Sequence, residues 1–267
     1  MNPLVANARM YALGPAVRDL WAALFARVSQ VSGVRLDHLE HAAPAPLDEL
    51  WHRPDLGLAF ACGYPFATDR FPLRPVAAPV PAGRRYGGRP VYATDLVARA
   101  DGPLHGLEDS FGGRIGWTVE HSQSGFNAVR AHLAAIGAPR YREAVGPLVT
   151  PRRVIEAVLD GRIDVGPLDS YVHDLLTRHE PDVAARLRTL ATTPLTPMPL
   201  LVASAGVADG IVDRLREALV GIAEDGPART LLEPLGLSGF APVSAGDYAT
   251  LLDAARGADA AGWATLA

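Results

Sequence analysis

Arg114-Ile-Gly-Trp-Thr-Val-Glu-His-Ser-Gln-Ser-Gly-Phe-Asn-Ala-Val-Arg-Ala-His-Leu-Ala-Ala-Ile136 reads as strand, polar loop and helix in succession. Arg114–Val119 has the apolar content of a strand, and the helix predicted from about Ser124 carries Val129, Leu133 and Ile136 at helical spacing. A strand that breaks into serine and glycine and re-forms as an amphipathic helix is a unit of an α/β protein. The same alternation extends outward in both directions. Upstream, Leu4–Tyr11 reads as a strand, and Pro15 opens a helix (Val17, Leu20, Trp21, Leu24, Phe25, Val28) that Gly33 ends. Strands are predicted at Val34–His41, Leu56–Cys62 and Arg89–Ala98, with a short helix at Leu47–Trp51. Downstream come a helix Pro151–Leu159, a strand Ile163–Leu168, a helix Ser170–Arg178 and a strand Leu200–Ala203. Three helical segments close the chain: Ala208–Ala223, Ala228–Leu235 and Ala245–Ala255.

Two segments read as crossings between lobes, Pro90–Asp95 after a Gly/Arg/Pro-rich turn and the proline- and threonine-rich Thr192–Pro199. They predict lobe one at 1–93 plus 197–267 and lobe two at 94–196, each a mixed sheet flanked by helices, joined by two hinges. A single doubly wound domain with an insertion is the alternative. The composition permits a sizeable core, at 49 % hydrophobic residues, and a net charge of −4 offers nothing to nucleic acid. All 25 basic residues are arginine, which removes lysine Schiff bases and phosphate-loop lysines. Cys62 is the single cysteine, so no intramolecular disulfide forms. No apolar run is long enough for membrane insertion, and the first twenty residues lack the basic-then-apolar pattern of a signal peptide. The expected location is cytoplasmic as written, or periplasmic if a leader has been trimmed.

Ligands of open α/β sheets collect beyond the carboxyl ends of the strands. In the quoted segment that place holds His121, Ser122, Gln123, Ser124 and Gly125. Serine hydroxyls and free N–H groups at a helix start suit an anion, and Gly125 permits close backbone approach; simple helix capping by a serine is the alternative. In Val165-Gly-Pro-Leu-Asp-Ser-Tyr171, Asp169 can accept from a protonated oxygen or an amine, and Tyr171 can donate, though Asp169 is also a good N-cap. Cys62-Gly-Tyr-Pro-Phe66 presents Tyr64 after a strand, and Tyr92 and Thr94 lie on the first crossing. There is no G-x-S-x-G elbow and no H-E-x-x-H or paired Cys/His spacing, so neither an activated serine nor a metal site is expected. The glycines of Gly112-Gly-Arg-Ile-Gly116 precede a strand instead of following one, so they form no dinucleotide loop.

Several motifs, in order, resemble one family. Ser122-Gln-Ser-Gly125 resembles an S-x-S-G anion loop, and Gly161-Arg-Ile-Asp-Val-Gly-Pro-Leu-Asp-Ser-Tyr171 a G-x-x-D-x-x-x-x-D-[ST]-x segment. Tyr92 stands about thirty residues before the serines, Thr193-Pro-Leu-Thr-Pro-Met-Pro199 resembles the return crossing, and Ala228-Arg-Thr-Leu-Leu-Glu-Pro-Leu-Gly-Leu-Ser-Gly-Phe240 followed by Asp247-Tyr248 the closing motif. The resemblance is to the phosphate/phosphite/phosphonate-binding proteins of ABC transporters. It implies the type II periplasmic-binding-protein clamshell and a solute-binding protein that closes over a small oxyanion, without a cofactor, as a monomer serving a permease. It also implies a ligand set of Tyr64, Tyr92, His121, Ser122, Gln123, Ser124, Gly125, Thr150, Asp169, Ser170 and Tyr171. One departure stands out: where the family often has Ser/Thr-His before the G-x-x-D helix, this chain has Thr150-Pro151. Nor is an arginine clamp evident, Arg152 and Arg153 lying a helical turn away at best. Two alternatives use the same fold. One is a cytoplasmic enzyme of the menaquinone-biosynthesis type, with Glu120, His121 and Asp169 as acid/base groups; the other is an intracellular ligand sensor.

Overall fold

The computed structural model describes residues 3–267. Contacts divide the chain into unit one (residues up to Val91, with Pro197–Tyr248) and unit two (Tyr92–Thr196, with Ala249–Ala267). The expected division assigned everything after residue 196 to lobe one. The last nineteen residues instead belong to unit two, because their apolar face is buried in that unit's core: Ala258, Trp263 and Leu266 pack with Ile115, Val129 and Leu133.

Unit one is built on a six-stranded mixed sheet in the order Leu237–Ala241, Leu73–Pro81, Leu200–Ser204, Leu56–Ala61, Leu4–Asn7, Leu36–His38. The three strands at the Leu36 end run parallel, and the other pairings are antiparallel. Leu56–Ala61 and Leu200–Ser204 are buried on both faces, so they read as continuous apolar runs with no alternation. Gly57 is required there: a Cβ would lie 2.6 Å from Leu4 Cβ. The helix Pro15–Ser32 covers the sheet with Trp21, Phe25 and Val28, and Trp21 and Tyr11 meet Phe60 edge-on at 5.0 and 4.8 Å between ring centres.

Two departures from the predicted elements have identifiable causes. The first strand stops at Asn7, whose side chain accepts from Arg9 N (2.9 Å) and donates to Leu39 O (2.8 Å), turning Arg9–Tyr11 into a 3-10 helix. Leu73–Pro81 is a strand although it contains Pro75, Pro79 and Pro81. Its ladders shift register on both sides, and Arg216 donates to the carbonyls of Pro75 (3.0 Å) and Val76 (3.2 Å).

Unit two carries a three-stranded antiparallel sheet in the order Leu187–Thr192, Thr94–Arg99, Gly166–Asp169. A parallel ladder of Arg114–Gly116 with Glu143–Val145 joins it through the bridge Ile115–Val165. The predicted strand Arg89–Ala98 is divided: Val91–Tyr92 pairs with Thr196–Pro197, and Thr94–Arg99 is the middle strand of unit two. That middle strand begins, at Thr94, beside the serine loop, which places the candidate site.

Candidate functional site

The loop of the opening segment is held by backbone pairing at both ends. Trp117 N donates to Val145 O (3.1 Å), and Thr118 N reaches across the loop to Gly125 O (3.2 Å). Leu148 N and Val149 N donate back to Trp117 O and Thr118 O, so the segment carrying Thr150 runs alongside. Val149 sits at φ +65°, a strained conformation for a β-branched residue. Thr150 itself caps the helix Pro151–Leu159, accepting from Arg153 N at 3.3 Å.

Ser122 is the N-cap: its Oγ accepts from Gly125 N at 3.0 Å. Capping and ligand binding are compatible here, because the hydroxyl proton remains to donate outward. The turn that follows, Gln123–Asn127, is a π-helix before the α-helix Ala128–Ala135, a local widening frequent at functional sites. Gly125 lies flat on Thr118. A Cβ at Gly125 would fall 1.9 Å from Thr118 Oγ1, a buried hydroxyl oxygen with no hydrogen-bond partner. Ser124 is half-buried; Thr94 Oγ1 donates to its carbonyl at 3.0 Å, and its own hydroxyl makes no hydrogen bond to the described residues.

Strand pairing brings the second motif to the same place. Thr94 is the register partner of Asp169. Asp169, 7 % exposed, accepts from Tyr171 N (2.8 Å) and Val172 N (3.2 Å) and so caps the helix Ser170–His179. Ser170 is fully buried and exchanges two bonds with Ala93: its N donates to Ala93 O and its Oγ accepts from Ala93 N. Tyr171 and Tyr92 are buried, as is Gln123, whereas His121 is half-buried on the loop. Unit two therefore assembles Ser122, Gln123, Ser124 and Gly125 with Thr94 and Asp169. Tyr64 belongs to unit one, half-buried on the short helix Gly63–Ala67.

Three arginines near the loop are paired with carboxylates, and Arg153 is exposed. Arg152 pairs with Glu180 (2.8 Å from Nη1), Arg114 with Asp164 (2.9 Å), and Arg130 with Asp259. Arg114 holds the Asp164 carboxyl below its ordinary pKa, chiefly by donating a hydrogen bond to it. Among the described residues, no group of three or more His, Cys, Asp or Glu is placed to hold a metal ion, and no helix is long and apolar enough to cross a membrane.

Three residues that shape the loop escaped sequence reasoning: Thr118, Asn127 and Arg130. The last had a visible signal, since Arg130 falls on the helix stripe shared by Phe126, Val129 and Leu133, where an arginine is out of place.

Mixed sheets, paired crossing segments and a serine–glycine loop ahead of a helix define the type II periplasmic-binding-protein fold. The sequence matches the family "ABC transporter, phosphonate, periplasmic substrate-binding protein" over residues 14–248, and the chain belongs to that family. It is accordingly a substrate-binding protein of an ABC transporter, with a small ligand and a permease partner, and the enzyme reading is set aside. No curated protein matches the chain. Among solved structures, the binding-protein component of an ABC phosphonate transporter from Pseudomonas aeruginosa is similar at TM-score 0.82 and 18 % identity, over 98 % of this chain and 88 % of that one. PhnD1 from Prochlorococcus marinus, in complex with methylphosphonate, is similar at TM-score 0.76 and 16 % identity, covering 95 % and 97 %. A Xanthomonas citri protein bound to ATP is similar at TM-score 0.66 and 20 % identity, covering 98 % of each chain.

Proposed function

We propose that the Ser122–Gly125 loop binds the oxygens of a small phosphonate- or phosphate-like anion, which the protein, acting as a monomer, delivers to its permease. The observation that carries this reading is the Ser124 hydroxyl. It is half-buried at the head of a helix and without a partner among the described residues, while the Ser124 carbonyl and the neighbouring backbone are pinned. This hydroxyl and that of the capping Ser122 each keep a proton to donate, which makes a pair of neutral donors on one loop. The positive end of the helix dipole adds to their attraction for an anion. With Arg114, Arg130 and Arg152 paired to carboxylates, dipoles hold the ligand without a counter-charge. Asp169, the acceptor in this set, selects a ligand that carries a proton on oxygen or nitrogen. Tyr64, Tyr92, His121, Thr150, Ser170 and Tyr171 complete the proposed set. The methylphosphonate seen in PhnD1 is a ligand of the chemistry required.

Isothermal titration calorimetry with methylphosphonate and inorganic phosphate tests the assignment. Ser122→Ala and Ser124→Ala are each expected to weaken binding more than tenfold, about 1.4 kcal/mol or more. Unchanged affinity in both variants would remove the loop from the site.

A further inference from the structure

Building on that reading, we infer that Arg130 is a positioning residue, through which the C-terminal segment Ala249–Ala267 sets the geometry of the anion loop. Arg130 is buried, with its side chain 5 % exposed, on the helix that follows the loop. One branch of its guanidinium faces the C-terminal segment: Nη1 donates to Asp259 Oδ1 (2.5 Å) and to Trp263 O (2.8 Å). The other branch faces the loop: Nη2 donates to Asn127 Oδ1 at 2.7 Å. That bond orients the Asn127 amide so that Nδ2 donates to Glu120 O and Ser122 O, both at 3.0 Å, while Asn127 N also donates to Ser122 O. The carbonyl of the capping serine is thus fixed twice by one asparagine, and that asparagine is fixed by one arginine.

The ring beneath the charge belongs to the same assembly. The guanidinium carbon lies 5.0 Å from the centre of the Phe126 ring, which is 5.7 Å from Trp117 on the other limb of the loop. Only a planar, forked cation can bond to Asn127 and to Asp259 with Trp263 at once. The C-terminal helix therefore does more than fill unit two's core. It supplies the carboxylate that balances a buried charge, and that charge holds the loop.

Hydrogen–deuterium exchange of the ligand-free full-length protein reads the positioning directly, and titration with methylphosphonate reads its consequence. In Arg130→Met, the amides of residues 118–127 are expected to exchange at least tenfold faster, with strand Thr94–Arg99 unchanged within twofold. Methylphosphonate affinity should fall at least tenfold. Ser124→Ala added to Arg130→Met should then cost less than threefold further, because the hydroxyl is already misplaced. Unaltered loop exchange, or equal acceleration throughout unit two, would overturn the inference, the second by making Arg130 a core residue only. Should Arg130→Met not fold, Asp259→Asn decides, since that carboxylate is 58 % exposed. A two- to fivefold increase in loop exchange supports positioning, and no increase overturns it. If the wild type binds neither methylphosphonate nor phosphate, the proposed function fails, yet the exchange of the loop still decides what Arg130 does.

Discussion

At the scale of single residues, the site depends on the absence of one side chain. The necessity of Gly125 comes from Thr118, which lies against its Cα. An alanine there would force the loop away from Thr118 or displace the threonine from beneath it; overpacking of this kind costs about 1–3 kcal/mol. Gly125→Ala is expected to lower the affinity for methylphosphonate at least tenfold by calorimetry, with a modest fall in melting temperature. Thr118→Ala in the same chain clears the hydroxyl and methyl group but leaves the threonine Cβ position filled, so it should recover part of the affinity. Full wild-type affinity in Gly125→Ala alone would mean that the loop has room the structure does not show. The serine–glycine pattern pointed to this loop from sequence, because polar donors between a strand and a helix are a local signal. Thr118 gave none: nothing in a sequence tells which residue seven positions away lies under a glycine.

At the scale of elements, the parallel ladder that carries the loop is closed at its beginning by one buried bond. Ser110 precedes the strand Arg114–Gly116, Tyr141 precedes Glu143–Val145, and their hydroxyls meet at 2.8 Å. Tyr141 is 3 % exposed, and burial pushes its phenol up to about 12 from the ordinary 10. The folded protein thus holds this proton more tightly than the unfolded chain does. The corresponding stability is fully present below pH 10 and declines as the pH rises from 10 to about 12, by roughly 3 kcal/mol in all. Melting temperature measured from pH 9 to 12 should fall across that window, and in Tyr141→Phe the fall should be shallower; identical profiles would exclude Tyr141 as its source. Elements with local punctuation were legible: Pro15 and Gly33 bound their helix, and Pro151 opens another. Leu73–Pro81 was not, because three prolines argue against a strand and the compensation, Arg216, comes from a helix far along the chain.

At the scale of the whole molecule, the chain passes between its units three times, after Val91, after Thr196 and after Tyr248. The first two passages fall within short extended segments, Val91–Tyr92 and Thr196–Pro197, which the sequence marks with nearby prolines. The third could not be read from sequence, since an amphipathic helix announces that it buries a face without saying against which sheet. Its destination has a consequence for stability. Trp263 and Leu266 are 5 % and 0 % exposed in unit two's core, and Arg140 stacks on Trp263 at 4.0 Å while donating to the carbonyls of Gly262 and Thr265. Burying two such side chains contributes about 2–3 kcal/mol each. That is a large share of the roughly 5–15 kcal/mol that separates a folded domain from its unfolded chain. A chain ending at Tyr248 retains every described strand, so a sheet-based view of the fold would expect it to survive intact. The packing says otherwise. Exchange protection should be lost in Thr94–Arg99 and Arg114–Gly116 and kept in Leu56–Ala61 and Leu200–Ser204. Equal protection of both sets in the shortened protein would mean that unit two folds without the segment that fills its core. The C-terminal segment could then be neither the structural floor of the Ser122–Gly125 loop nor the source of its geometry.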